Sequence, residues 1–579
     1  MAGDRGDDLP EYDLPDYDLP EYDLVVRGGS VADGSGLPSF TADIGVRGGR
    51  IANIGRIPAG RADAELDADG LAVTPGFVDI HTHYDAQLHW EPTASPASWH
   101  GVTTILTGNC GFTLAPSKPE DVEWLMLMLS RVEGMSAQAL AAGVPFAGGG
   151  LGDFLDGLEG AVGVNVGANV GHCAIRRYVM GDDASERTAT EAEIVAMQQE
   201  VRRAFREGAV GFTSSQLDLH VAHDGRGVPS NHASPEELVA LASVLAEFDH
   251  GAIEFIPRTF LEGYSDADRE LIRALARASG RPVNTNTLTR MPHAPDGWQR
   301  SLEFAQEAAA DGLRVYPMFA SNLQGAHFSL DTTFLFDEMP SFRDVLTLAE
   351  PRRSERLRDP ELREQMRKEL ANWDGRSFVF VWEVLRVETV HRAEHEQFVG
   401  LSVTEVAAAR DADPLDAFLD LSLAEELRTQ FVLAAPPERA RVAATEAMIR
   451  SPLVMAGSSD GGAHLLSFVG ADYTTRLLTE WVPSVLTFEQ AVAKVTSIPA
   501  RIHGITDRGS IHVGAAADLC LIDRDRLMVG PTRFTQDFPA GSGRYVVDAD
   551  GYERVIVNGE VLLEQGEWTG ATPGTILRP

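Results

Sequence analysis

The sequence predicts an α/β protein: a (β/α)8 TIM-like barrel joined to a small β-sandwich domain formed from the N- and C-terminal segments. Three observations carry this. Eight short apolar or β-branched segments end in polar residues, at 72–80, 102–108, 164–171, 209–214, 252–257, 282–288, 313–319 and 453–458. Stretches such as 191–208, 234–248 and 266–280 lie between several of them, with apolar residues recurring at three and four positions, as one buried helical face requires. Short β runs broken by Gly-Gly and Asp-Gly turns occupy both ends of the chain, DLVVRGGSVAD near the start and YERVIVNGEVLLEQGEW near the finish. Alternating strands and helices imply a parallel sheet, and eight such units imply a barrel with its chemistry at the C-terminal strand ends.

In chain order, residues 1–22 hold EYDLP, DYDLP and the start of EYDLV, a proline-spaced acidic repeat expected to be an extended, solvated tail. Residues 23–74 and 506–579 are expected to form the sandwich. Residues 75–505 are expected to form the barrel, interrupted by excursions at about 111–160 and 320–450 that lie over its mouth. At 579 residues the chain exceeds what one core sustains, since cores stop growing near ~250–300 residues.

Bulk properties narrow the function. The formal net charge of −37 argues against a nucleic-acid partner, because phosphate binding relies on Lys and Arg. The sequence has no apolar run of ~18 residues, so no membrane span is expected. The acidic opening, MAGDRGDDLPEYD, is unlike a secretory signal and favours the cytoplasm. Cys110, Cys173 and Cys520 are odd in number and far apart, which speaks against a disulfide framework.

The chemistry is concentrated at three strand ends. In GFVDIHTHYDAQ (76–87) an apolar strand runs into His-Thr-His. Alternate residues on a strand share a face, so His81 and His83 make a chelating pair for zinc or a similar ion, where a bare HxH elsewhere would read as structural. In SSDGGAH (458–464) Asp460 ends the eighth strand, beside the first in a closed barrel. It can ligate the same ion and carry a proton from water to a leaving group; the alternative is a turn or N-cap aspartate. His464 has a weaker claim to the site. In TGNCGFTLAP (107–116) Cys110 follows strand two and offers a thiolate, the alternative being a buried small hydrophobe.

Taken together, His81-Thr82-His83, GNCGF around Cys110, RVEG (131–134), GHCAIR (171–176) and SSDGGAH resemble the D-aminoacylase branch of the amidohydrolase superfamily, the N-acyl-D-amino-acid deacylases. The resemblance spans about residues 23–570. It implies a barrel with a small β domain, a zinc site, and hydrolysis of an amide on a D-amino acid, a small substrate carrying a carboxylate. It implies that His81 and His83 are strand-one ligands, that Cys110 is the thiolate ligand standing where other amidohydrolases use a carboxylated lysine, and that Asp460 is the catalytic aspartate. Members of the superfamily often dimerise, which leaves a homo-oligomer open.

The chain departs from that pattern at strand five, where Ile256 falls at the expected histidine, and at strand six, where Thr287 falls about where another is expected. Neither side chain replaces an imidazole. The expected centre is therefore one zinc ion held by His81, His83, Cys110 and Asp460, a second ion being doubtful. His172 and His220 lie nearest to strand ends and are further candidates, with His223 beside them. Arg258, and less well placed Arg176 and Arg290, could fork onto a substrate carboxylate. HRAEH (391–395) has helix spacing for a metal but lies in a charged excursion and reads as solvated. The function expected is metal-dependent amide hydrolysis. The alternatives are a lyase, decarboxylase or cyclic-amide hydrolase on the same scaffold, or a ligand-binding pseudoenzyme.

Overall fold

The structure is a computed structural model that describes residues 21–579 apart from 292, 320–325, 332, 334, 373–379, 434–438 and 468. The acidic repeat at 1–20 lies outside the described residues. Among them, no helix is long and apolar enough to cross a membrane.

The centre is an eight-stranded parallel sheet: β1 (Phe77–Asp79), β2 (Val102–Thr107), β3 (Asn165–Gly171), β4 (Gly211–Ser215), β5 (Ala252–Ile256), β6 (Val283–Thr285), β7 (Val315–Phe319) and β8 (Met455–Ala456). Each expected segment contains or overlaps one of these strands. Consecutive strands pair in order. The sheet curls until its ends meet beyond β1 and β8, where Thr82 bridges Gly461 in parallel and His83 N donates to Gly461 O at 2.7 Å. Nearly every strand residue is buried, as a sheet covered on its outside by helices and filled on its inside requires.

The covering helices include α1 (His172–Met180), α2 (Glu191–Glu207), α3 (Pro235–Ser243), α4 (Asp266–Ser279) and α5 (Gly297–Ala310). Their starts are legible locally: Thr190, Ser234 and Ser265 accept from the backbone N–H three residues on. Left-handed Gly208 and Gly280 end α2 and α4.

The two ends of the chain meet in one nine-stranded sheet. Tyr22–Val31 pairs with Phe40–Arg47, Ala62–Asp67 and Ala72–Pro75, and the last of these pairs with Leu519–Ile522 from the C-terminal segment. This branched sheet encloses its own core of Val26, Ile44, Val73, Leu519, Leu521 and Ile556. The sequence segment 72–80 thus serves both layers, Ala72–Pro75 in the terminal sheet and Phe77–Asp79 in the barrel. Gly76 lies between them, where an added Cβ would stand 2.1 Å from Thr103 Oγ1.

The long excursion between β7 and β8 is more than loops and helices. It builds a three-stranded antiparallel sheet of Ala326–Phe328, Leu385–Thr389 and Gln430–Leu433. A separate core forms there around Phe328, Phe336, Phe342, Phe418 and Phe431. This unit is tied to the first excursion's helix Val122–Val132 at Arg131, which pairs with Asp337, and to the segment after β8 at His327 N, which donates to Ser467 O.

Candidate functional site

His81 and His83 follow β1 with their rings fully buried and 5.3 Å apart between centroids. Their backbone is fixed from three sides. His81 N donates to Asp79 Oδ1, Ser459 Oγ donates to His81 O at 2.9 Å, and Asn109 Nδ2 donates to Thr82 O. Cys110 reaches them from the turn after β2. Its own φ is +57° and it stands between left-handed Gly108 and Gly111. A side chain at Gly108 would press to 2.9 Å from Asn169 O, which explains the glycine before Asn-Cys. The strained turn is held by Thr213, whose hydroxyl donates to Gly108 O and accepts from Gly111 N, and by Glu254 Oε2, which accepts from Cys110 N at 2.7 Å.

The result is a tight convergence. Cys110 Sγ lies 3.4 Å from His81 Nε2 and 3.9 Å from His83 Nε2, and one donor atom from each residue lies within 4.8 Å of the others. Asp460 enters from the turn after β8 with φ +49° and places Oδ1 3.0 Å from His81 Nε2 and 3.9 Å from His83 Nε2. Ligands around a tetrahedral zinc, at ~2.0–2.1 Å for nitrogen and ~2.3 Å for sulfur, stand about 3.3–3.6 Å from one another. His81, His83 and Cys110 therefore form a three-donor group of a size to hold a single divalent ion, and Asp460 Oδ1 stands beside both imidazoles.

The electrostatics favour a cation for the same reason. Burial, with Glu254, Glu133 and Asp460 nearby, pushes the Cys110 thiol well up. Burial raises the Glu254 carboxyl to about 7, and burial with Asp460 nearby raises that of Glu133 well above its usual range. Burial also acts to raise Asp460, but the His81 hydrogen bond and nearby imidazoles outweigh it and hold that carboxyl low. Burial and the neighbouring His81 lower His83 well below its ordinary value. A buried thiol beside two buried carboxyls, Glu133 and Glu254, and the half-buried Asp460 is costly to ionise until a positive charge joins them.

Three further residues belong to this cluster, and of them only Glu133, within RVEG, falls in a motif named above. Glu254 is the one charged residue in the strand AIEFI, inward on β5 and 3.9 Å from His81 Nδ1 through Oε1. Asn286, just past β6, places Nδ2 3.1 Å from His81 Nδ1 and 3.9 Å from Cys110 Sγ. Glu133, at the end of the excursion helix Val122–Val132, sets Oε1 3.4 Å from His83 Nδ1 and Oε2 3.8 Å from His464 Nε2. An acid isolated in an apolar strand was a readable signal for Glu254. RVEG marks Glu133 only as part of the family resemblance, without a role, and nothing local marks Asn286.

Other expected residues sit elsewhere. Ile256 is buried at the end of β5 on the same side as Glu254. Thr287 is turned to Ser458 Oγ at 2.7 Å, so strand six lends Asn286 to the cluster rather than Thr287. His172 is kept out of the cluster because both ring nitrogens are engaged, Nδ1 with Ser214 Oγ and Nε2 with Glu237 Oε1, each at 2.8 Å. Arg176 forks onto that same buried Glu237, not toward a substrate. His220 bonds Ser215 Oγ through Nδ1, stacks edgewise on Phe112, and is near enough to Asp460 and His464 to couple with them. His223 packs on Trp124. Arg258 pairs with exposed Asp218 and lines a groove of about 850 Å³ between α3 and α4. In HRAEH, His395 is buried against Glu425 within the excursion's own fold.

A parallel barrel bearing a His-x-His pair, a cysteine and an aspartate at its C-terminal strand ends, with a sheet shared by both termini, is built as an amidohydrolase. The chain belongs to the amidohydrolase family, whose model matches residues 64–563. Within that family it is related to the D-aminoacylases and N-acyl-D-amino-acid deacylases. It is 28% identical to an N-acyl-D-glutamate deacylase of Alcaligenes xylosoxydans xylosoxydans over 96% of both chains. It is 34% identical to a D-aminoacylase of the same organism over 40% of this chain and 43% of that one. The solved N-acyl-D-glutamate deacylase of Bordetella bronchiseptica, in complex with zinc and a phosphonate mimic of the tetrahedral intermediate, superposes with a TM-score of 0.67 at 25% identity, over 96% of this chain and 100% of that one.

Proposed function

We propose that this protein is a zinc-dependent hydrolase that removes the acyl group from an N-acyl-D-amino acid. The observation that carries the reading is the convergence of His81 Nε2, His83 Nε2 and Cys110 Sγ into one metal-capable group, with Asp460 Oδ1 3.0 Å from His81 Nε2. The activities and the zinc named for full-length relatives support the substrate class and the metal.

His81, His83 and Cys110 would hold one ion, with Asp460 at its open side. Bound there, a divalent ion supplies Lewis-acid polarisation of the amide carbonyl and a lowered pKa for water. Asp460 is held ionised, so its carboxylate can accept the proton of the attacking water and return it to the amide nitrogen as the C–N bond breaks. Glu133, between His83 and His464, steadies the histidine rings. His220 stands where it can wall the substrate on the Phe112 side. Arg258 would hold the substrate carboxylate only by exchanging its present partner, Asp218.

A second reading keeps the centre and changes the reaction to a lyase, decarboxylase or cyclic-amide hydrolysis. The observation favouring it is that strands five and six lend Glu254 and Asn286 where histidines were expected. A panel of N-acetyl-D- and N-acetyl-L-amino acids separates the two. Release of free amine from D substrates, at least about tenfold faster than from L, supports deacylation. No amine release from any member, with turnover of a cyclic amide or a carboxylated substrate, supports the second reading.

A further inference from the structure

We propose that Glu254 and Asn286 act as positioning residues that take the place of a second metal ion, so that the centre admits one ion only. This rests on reading His81, His83, Cys110 and Asp460 as an ion site.

Glu254 is 3% exposed and touches two ligand residues at once. Its Oε2 accepts from Cys110 N, the amide of the residue forced into left-handed backbone. Its Oε1 faces His81 Nδ1 at 3.9 Å and has no hydrogen-bond partner among the described residues. Asn286, 4% exposed, inserts between the same two ligands, near both nitrogens of His81 and 3.9 Å from Cys110 Sγ. Its Oδ1 also lacks a partner among the described residues.

The two orphaned oxygens and His81 Nδ1 complete one another. An imidazole binds a metal through one nitrogen and donates a hydrogen bond from the other, and the acceptor of that bond selects which nitrogen is which. Once the 3.9 Å gap to Glu254 Oε1 closes to hydrogen-bond length, or the Asn286 amide turns over to present Oδ1, Nδ1–H has an acceptor and His81 Nε2 keeps the lone pair that faces Cys110 and Asp460. The same carboxylate holds the Cys110 turn, so one side chain orients a nitrogen and a sulfur ligand together.

A second ion beside Cys110 would need donors from strands five and six. Strand five offers a carboxylate already engaged with Cys110 N. Strand six offers an amide, a weak ligand that occupies the space itself. The sulfur is thereby left to the ion at His81 and His83.

The test uses the full chain, stripped with a chelator and titrated with zinc, with cobalt(II) as a spectroscopic probe. Wild type is expected to hold one ion per chain at saturation. Glu254→Gln keeps the shape but sets an amide N–H against His81 Nδ1. It should still hold one ion, bound about 10–100-fold more weakly, with a changed cobalt(II) spectrum and the metal-free unfolding temperature little moved. Asn286→Asp replaces the blocking amide with a carboxylate and should raise the count above one. Two ions in wild type, unchanged zinc affinity in Glu254→Gln, or one ion in Asn286→Asp would each overturn the proposal. No ion in wild type would instead overturn the metal-site reading on which it rests.

Discussion

Cys110 Sγ and His81 Nε2 stand 3.4 Å apart although 29 residues separate them in the chain. They lie at the ends of adjacent parallel strands, and the left-handed turn at Cys110 points the thiol at the imidazole. Sulfur is the soft member of the donor set, and a hydroxyl is a poor substitute for it. Cys110→Ser should therefore bind zinc at least about tenfold more weakly. It should also lose the near-ultraviolet thiolate band of the cobalt(II) protein, read by absorption spectroscopy against wild type.

Asp460 has the opposite profile. His81, His83 and Cys110 remain to hold an ion without it. Asp460→Asn should retain most of the bound metal, while kcat falls by roughly 10²–10⁴-fold, the usual worth of a positioned proton carrier. Metal analysis and steady-state kinetics on the same preparation check both halves.

How much of this was legible in the sequence depended on whether the signal was local. Eight strand segments could be read because strands covered on both faces leave continuous apolar runs, and β7, as VYPMF, is such a run. His81, His83, Cys110 and Asp460 each end a strand in a recognisable motif, so their convergence follows once the barrel closes. The part played by Glu133, although RVEG contains it, and by Asn286 could not be read, because both come from side chains that meet across the barrel mouth. Thr287 and Asn286 differ by one position, and on an extended segment one position reverses the face. His172 looked available at a strand end. Its partner Glu237 is 65 residues away on α3, a distance that no pattern bridges.

The His172–Glu237–Arg176 cluster is fully buried and supports α1 and α3 rather than the metal centre. Removing one member of a buried ion pair leaves an uncompensated charge. Arg176→Met should lower stability by about 3–5 kcal/mol. Urea unfolding should show this loss, while zinc per folded chain stays as in wild type.

His100 gives a pH signature away from the site. It is fully buried, bonded to Thr475 Oγ1 and Val547 O, and burial lowers its pKa from 6.5 to about 4. The folded state then takes up its proton later than the unfolded state as pH falls. The stability His100 contributes is full above about 6.5 and is lost progressively toward pH 4. The loss across that window is about 3 kcal/mol, at 1.36 kcal/mol per pH unit. His100→Asn, which does not titrate, should gain on wild type by about that amount between pH 7 and pH 4 in chelator-treated samples. An equal pH dependence in the two proteins would place the buried titration elsewhere.

The most direct measurement of the central claim is hydrolysis of N-acyl-D-amino acids by the purified chain before metal removal, after chelation, and after zinc is restored. Expected is amine release that disappears with the ion and returns in proportion to zinc re-bound at His81, His83 and Cys110. Undiminished turnover by the metal-free protein would contradict it.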